Sequence, residues 1–155
     1  MTIEIREADL GNAEDASSVL ELVDDYARGP GGQNAPLSDI ARANLAKGLA
    51  EHPMARVLLA IVDDEAIGVA VCVRSFSTFA GKPTVNIHDL AVRPEHQGRG
   101  VGRALIDRVE ADARASGCCK VTLEVHDTNS KAKGLYRKAG FGPWEPATLF
   151  VSRYL

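Results

Sequence analysis

The chain has 155 residues, 45% of them apolar and 25% charged, with a formal net charge of −3. That length is one domain over residues 1–155, long enough to bury a substantial core, and the balance is ordinary for a soluble globular protein. The slight acidity excludes a general nucleic-acid surface, and the longest apolar run, 66–73, is far short of the roughly 20 residues a membrane span needs.

Residues 2–8 alternate Ile3 and Ile5 with polar neighbours, which predicts a strand and is not the pattern of a signal peptide. A helix follows over Ala13–Arg28, with Ala16, Val19, Leu20, Val23 and Tyr26 on one face. The Gly/Pro-rich stretch 28–36 is a loop, either a rim of a substrate site or an ordinary connection. A second helix starts within Leu37–Ile40, with Ser38 as N-cap, and runs to about Glu51. Arg56–Val62 and Ala66–Ser75, split by Asp63-Asp64-Glu65, read as an antiparallel hairpin, and Val85–Val92 as the next strand. A helix over 100–116 puts Val101, Leu105, Val109 and Ala113 on one face with Ile106 beside them, and Gly117 stops it. Val121, Leu123 and Val125 line one face of a strand, Ser130–Ala139 is a short helix, and Leu149–Tyr154 reads as a final strand. The predicted order is β-α-α-β-β-β-α-β-α-β, with room for a short strand near Phe141. This is an α/β fold: a mixed sheet flanked by helices, with a right-handed crossover into the last parallel strand.

The chemistry concentrates where the strand ending in Val92 turns through Gly98, Gly100 and Gly102 into a helix. Such a turn leaves backbone N–H groups bare at the positive end of a helix, a cradle for phosphate or pyrophosphate. Arg99 and Arg103 add positive charge. No lysine and hydroxyl follow as in a Walker A loop, and the glycine spacing is not that of a dinucleotide fingerprint. The bland alternative is a solvated turn with no ligand. Cys72, Cys118 and Cys119 form neither a disulfide framework nor a zinc pattern, so no metal is expected and the thiols suit a reducing cytoplasm.

Gln97-x-x-Gly100-x-Gly102 after Leu90-Ala91-Val92 resembles the acetyl-coenzyme A signature of the GCN5-related N-acetyltransferases (GNAT). Residues 119–141, a strand with Asn129 at its exit and then Leu135-Tyr136-x-x-x-Gly140-Phe141, resemble the family's second block. Phe76-Ser77-Thr78-Phe79 with Gly81-Lys82-Pro83 is similar to the polyamine and thialysine acetyltransferase branch.

The resemblance implies acetyl-CoA as co-substrate, seated where the two parallel strands splay apart. It assigns the pyrophosphate to the amides of Gln97, Gly98, Arg99, Gly100, Val101, Gly102 and Arg103. It assigns the pantetheine arm to the backbone of Leu90, Ala91 and Val92, with Leu90 or Ala91 polarising the thioester. Asn129 contacts that arm or simply caps its helix, and Ser130 and Lys133 lie within reach. Tyr136 matches the family tyrosine that protonates the leaving thiolate; the alternative is a core aromatic. The general base is open. His88 suits the role, because an imidazole gains and loses a proton near neutral pH. Glu124, His126 or a water relay are fallbacks. The polyamine branch has Glu-Asp where this chain has His88-Asp89, which leaves polyamine specificity in doubt. Alternation along the strand puts His88 and Asp89 on opposite faces, with Asp89 a structural acceptor or a substrate contact. Ser77 and Thr78 line the acceptor site or end a strand. Lys131 and Arg137 form a solvated helix face, and His96 faces solvent.

The function implied is acetyl transfer to a primary amine of a small molecule by direct attack in a ternary complex, in a cytoplasmic homodimer. The alternatives are a protein N-terminal or lysine acetyltransferase and a non-catalytic acyl-CoA sensor.

Overall fold

A computed structural model describes residues 1–155. In chain order the elements are β1 (Glu4–Glu7), α1 (Ala13–Arg28), α2 (Asp39–Glu51), β2 (Ala55–Val62), β3 (Glu65–Ser77) and β4 (Lys82–Val92). A 3-10 turn at Pro94–His96 leads to α3 (Val101–Ala115), β5 (Val121–Leu123) and α4 (Ser130–Lys138). The sheet order is β1-β2-β3-β4-β5, antiparallel throughout except for the parallel pair β4–β5.

Alternation along the strands builds a core on each face of the sheet. Leu58, Ala60 and Val62 of β2 meet Leu105, Ile106 and Val109 of α3 on one face. Val57 and Leu59 meet Val19, Leu22 and Val23 of α1 on the other. The buried stripe of α1 runs through Asp15, Leu22, Asp24 and Ala27 as well as Val19 and Val23, while Ala16, Leu20 and Tyr26 are half-buried. Both acids have partners that offset desolvation. Asp15 takes a two-pronged bond from Arg6 at 2.7 Å and the Asp9 N–H. Asp24 takes the Leu37 N–H, Arg28 and Arg42. The Arg6 bond chiefly, and for Asp24 the Leu37 N–H, hold these carboxyls below their usual range.

The final strand expected at Leu149–Tyr154 is not formed: the chain beyond Phe141 has no regular structure, and Leu149, Phe150, Val151 and Tyr154 are exposed. Its β-prone composition requires a neighbouring edge, and this segment pairs with none. No strand forms near Phe141 either. The Phe141 ring lies edge-on to Tyr136, and its carbonyl accepts the Trp144 indole N–H at 2.8 Å. No helix is long and apolar enough to cross a membrane.

Candidate active site

β4 and β5 pair only through Val85–Ile87 and Val121–Leu123. From His88 onward β4 keeps β3 as its single neighbour, so Leu90, Ala91 and Val92 border a gap on their β5 side. Ligand crevices of open α/β sheets lie at such carboxyl ends of parallel strands.

The glycine turn opens on this gap. Gly98 (φ 76°) and Gly100 (φ 88°) are left-handed, a conformation costly for any residue with a Cβ. The first backbone bond into α3 is Ala104 N–H to Gly100 O, so the N–H groups of Gly98, Arg99, Gly100, Val101, Gly102 and Arg103 have no protein acceptor. The Gln97 amide is not among them, because the 3-10 turn directs it to Pro94 O. Its side chain instead ties the turn in place, donating to Val92 O at 2.9 Å and accepting from Lys131. Lys131 is therefore engaged rather than merely solvated, and Arg137 stacks over the Trp144 ring. The Arg103 guanidinium turns away to Asp107 and Lys138 O, which leaves Arg99 as the cation of the turn without an acidic partner. His96 is half-buried, and its Nδ1 is sealed from solvent without a partner.

On β4, Val71 of β3 faces Asp89 and Cys72 faces Ile87, so His88 is an extra residue in the ladder. This bulge shifts the alternation: Val85 and Ile87 before it, and Leu90 and Val92 after it, all pack on the α3 face. His88 and Asp89 consequently share the α1 side rather than lying on opposite faces. His88 is exposed and Asp89 half-buried. Burial pushes the Asp89 carboxyl up, and the neighbouring His88 charge partly counters it.

Tyr136 of α4 reaches the gap from the opposite face. It is 7% exposed, and its hydroxyl makes no bond within the protein yet is not sealed from solvent. Burial, with Tyr26 adding across the gap, pushes its phenol up to about 12. So raised, it stays a proton donor over the whole neutral range. Tyr26 of α1 is the site residue sequence reading missed. Apolar spacing puts it on the helix's core face, whereas its hydroxyl donates to Gly31 O at 2.8 Å and burial, then Asp89, push its phenol up. An aromatic with a polar tip just before a glycine-rich loop was the available signal.

Asn129 caps α4 by accepting the Ala132 N–H, and Ser130 beside it is exposed. Lys133 is turned to Asp127 at 2.6 Å, so its ammonium is occupied and holds the Asp127 carboxyl down.

A model of the Acetyltransferase (GNAT) family matches residues 17–141. The chain belongs to this family. It is an N-acetyltransferase, and GNAT acetyltransferases use acetyl-CoA. The chain is 30% identical over 148 residues to thialysine N-epsilon-acetyltransferase of Bos taurus, covering 88% of this chain and 82% of that protein. It is 40% identical over 86 residues to mycothiol acetyltransferase of Beutenbergia cavernae, covering 56% of this chain and 29% of that one. The fold matches an aminoglycoside acetyltransferase from an uncultured soil metagenomic sample with a TM-score of 0.81, at 18% identity, over 99% of this chain and 97% of that one.

Two groups of residues fall outside this GNAT gap. Ser77 and Thr78 sit at the tip of the β3–β4 hairpin, six residues along β3 from the Val71 that faces Asp89. That is about 20 Å, too far for either to contact His88 or Asp89 of the same chain. Cys118 and Cys119 precede β5, at the far end of the sheet from the bulge, and line a separate cleft of about 210 Å³. Burial pushes the Cys72 thiol up to about 12, so it is no nucleophile. Of the fallback bases, Glu124 accepts from Asn86 and His126 is exposed.

Proposed function

We propose that this GNAT protein, acting as one domain over residues 1–155, transfers acetyl from acetyl-CoA to a primary amine of a small molecule by direct attack in a ternary complex. The observation that carries the reading is the run of unpaired N–H groups from Gly98 to Arg103, opening on the same gap as the Tyr136 hydroxyl and the His88–Asp89 bulge. Unpaired amides at a helix N-terminus, open φ > 0 glycines and Arg99 fit a pyrophosphate. Leu90, Ala91 and Val92 offer a strand edge to an extended arm, with Asn129 and Ser130 on its far side.

Bound there, acetyl-CoA supplies an acyl carbon open to attack and a thiolate leaving group. The protein supplies positioning and protons. His88 takes a proton from the acceptor ammonium, and the Asp89 carboxylate beside it favours a cation at that spot. Tyr136 holds a proton at its hydroxyl throughout the neutral range and gives it to the thiolate. Arg103 and Lys133 act through the backbone and the α4 cap rather than through their side chains.

A small acceptor is favoured because the loop between α1 and α2 reaches Asn129, which covers the gap on that side. The relatives named thialysine N-epsilon-acetyltransferase and mycothiol acetyltransferase are also named for small molecules. The proposed assembly is a homodimer, since the apolar tail at Leu149–Leu155 is exposed and the outer edge of β5 is unpaired. Sedimentation of the full chain against a chain ending at Pro146 tests it: both monomeric means no dimer through the tail. The proposed compartment is the cytoplasm, where Cys72, Cys118 and Cys119, all free here, stay reduced.

The deciding experiment is thiol release from acetyl-CoA against polyamines, lysine analogues, aminoglycosides and short peptides. Turnover with a small amine is expected. Turnover with peptides alone would replace the reading with a protein acetyltransferase, and CoA binding without turnover would replace it with a sensor.

A further inference from the structure

A cavity of about 390 Å³ opens on the α3 side of the sheet, a volume within the range of small-molecule sites. Val85 near the start of β4 and Ser116 just past α3 line it, so it lies at the far end of both elements from the glycine turn. None of its lining residues belongs to that turn, to His88–Asp89 or to α4. Leu58, Cys72 and Val85 form an apolar floor on the sheet, with Val109 and Ala113 of α3 opposite. His88 and Asp89 face the α1 side, so the sheet itself separates the cavity from them. The charged groups of the lining are Glu7, Arg56, Arg74 and Asp112. The Arg56 guanidinium meets Glu7 at 3.0 Å and Asp112 at 2.8 Å, and Asp112 takes Arg108 as well, at 3.0 Å. Arg74, exposed at the mouth, pairs with no acid. It donates from Nη2 to Ser116 O at 3.3 Å, which leaves most of its N–H donors free. The other carbonyls at the end of α3, those of Asp112, Ala113 and Arg114, already accept from Ser116, Cys118 and Gly117, so the negative helix end is met without a further cation.

We propose that this cavity is a second ligand site, one that takes a small carboxylate with an apolar body: the carboxylate pairs with Arg74 at the mouth, and the apolar part lies against Leu58, Cys72 and Val109. The site goes beyond the acetyltransferase reading and does not depend on it. An apolar floor gains from a ligand that brings apolar surface out of water. A guanidinium with free donors selects a planar carboxylate, which it can meet with two parallel bonds. A phosphate fits less well, because no row of free amides faces the cavity and the Glu7 and Asp112 carboxylates repel a second negative charge. Binding is non-covalent: burial pushes the Cys72 thiol of the floor up to about 12, so it does not react with the ligand.

Calorimetry of the full chain with hexanoate, and with hexanamide as its neutral match, tests the site. Wild type is expected to bind hexanoate and to bind hexanamide about fivefold more weakly, the size of one good ion pair at an open mouth. Arg74→Met keeps an apolar stem and removes the charge. It should weaken hexanoate by the same factor and leave hexanamide unchanged, and Arg74→Lys should recover part of the loss. Arg74 is exposed, so both variants should fold. Ala113→Leu, which fills the cavity from α3, should weaken both probes. Saturating acetyl-CoA should leave the hexanoate affinity as it was. No binding of hexanoate, equal affinity for the amide, or an affinity that neither Arg74→Met nor a folded Ala113→Leu alters overturns the proposal. Displacement of hexanoate by acetyl-CoA overturns it as well, since the probe then sits in the gap. Absence of thiol release with every amine sinks the acetyltransferase reading instead and leaves this result standing.

Discussion

Two glycine-rich turns flank the same gap and use glycine for opposite reasons. In the turn before α3, a Cβ on Gly98 or Gly100 would meet nothing within 4 Å; glycine is needed for φ > 0, and the result is a row of N–H groups facing outward. In the turn after α1, Gly31 and Gly32 do not have positive φ. Glycine is needed there because the chain folds back onto itself: a Cβ on Gly32 would overlap the Tyr26 carbonyl and sit 2.7 Å from Ala27 Cα. The first turn is open and able to take an anion, while the second has its polar groups directed inward and makes a wall. Glycine count alone says nothing of which is which; the direction of the freed amides does.

The comparison can be broken at four points. The largest effect belongs to the phenols that come with each turn. Tyr136→Phe should lower kcat about 100-fold with acetyl-CoA affinity near wild type, as expected for loss of a general acid. Stopped-flow turnover and calorimetry check it, and equal loss in Tyr26→Phe would erase the distinction between donor and acceptor sides. Next comes Gly32→Ala, which should destabilise the fold by about 2 kcal/mol through overpacking and lower the melting temperature by several degrees. Acetyl-CoA affinity should hold in the fraction that stays folded. Gly100→Ala should do the reverse. The Cβ has room, so the left-handed strain costs about 1–2 kcal/mol or is relieved by turning the amides away, and acetyl-CoA affinity falls about tenfold in calorimetry.

The smallest effect is a pH dependence confined to the walled turn. The folded Asp24 carboxyl titrates below its ordinary value of 3.8, first because of the Leu37 N–H and then because of Arg28. A lowered folded value means the unfolded chain binds the proton more readily. The stabilisation is therefore present above pH 3.8 and is lost as pH falls below it through the folded value. Hydrogen exchange at residues 33–37 should speed up over that acid window in wild type and be already fast at neutral pH in Asp24→Asn. No acid-dependent change would mean that Asp24 does not anchor the wall.

Much of the framework was legible from local pattern. The bounds of α1, and Ser38 as the cap of α2, follow from apolar spacing and capping chemistry, which are properties of neighbouring residues. The left-handed glycines before α3 are legible for the same reason, since strand, glycines and amphipathic helix follow one another directly in the chain.

What the sequence by itself determined is therefore the order of elements from β1 to α4, the two apolar faces and the family to which the motifs belong. Tertiary structure alone decided the rest, because each remaining feature depends on a partner distant in the chain. His88 became the extra residue of a bulge only through its register against β3, which brought it to the same side as Asp89. Arg103 and Lys133 lost their availability to Lys138 O and Asp127, and Tyr26 joined the site by reaching Gly31 beside Asn129. Leu149–Tyr154 kept its β-prone pattern without becoming a strand, since a strand exists only when another edge satisfies its N–H and C=O groups.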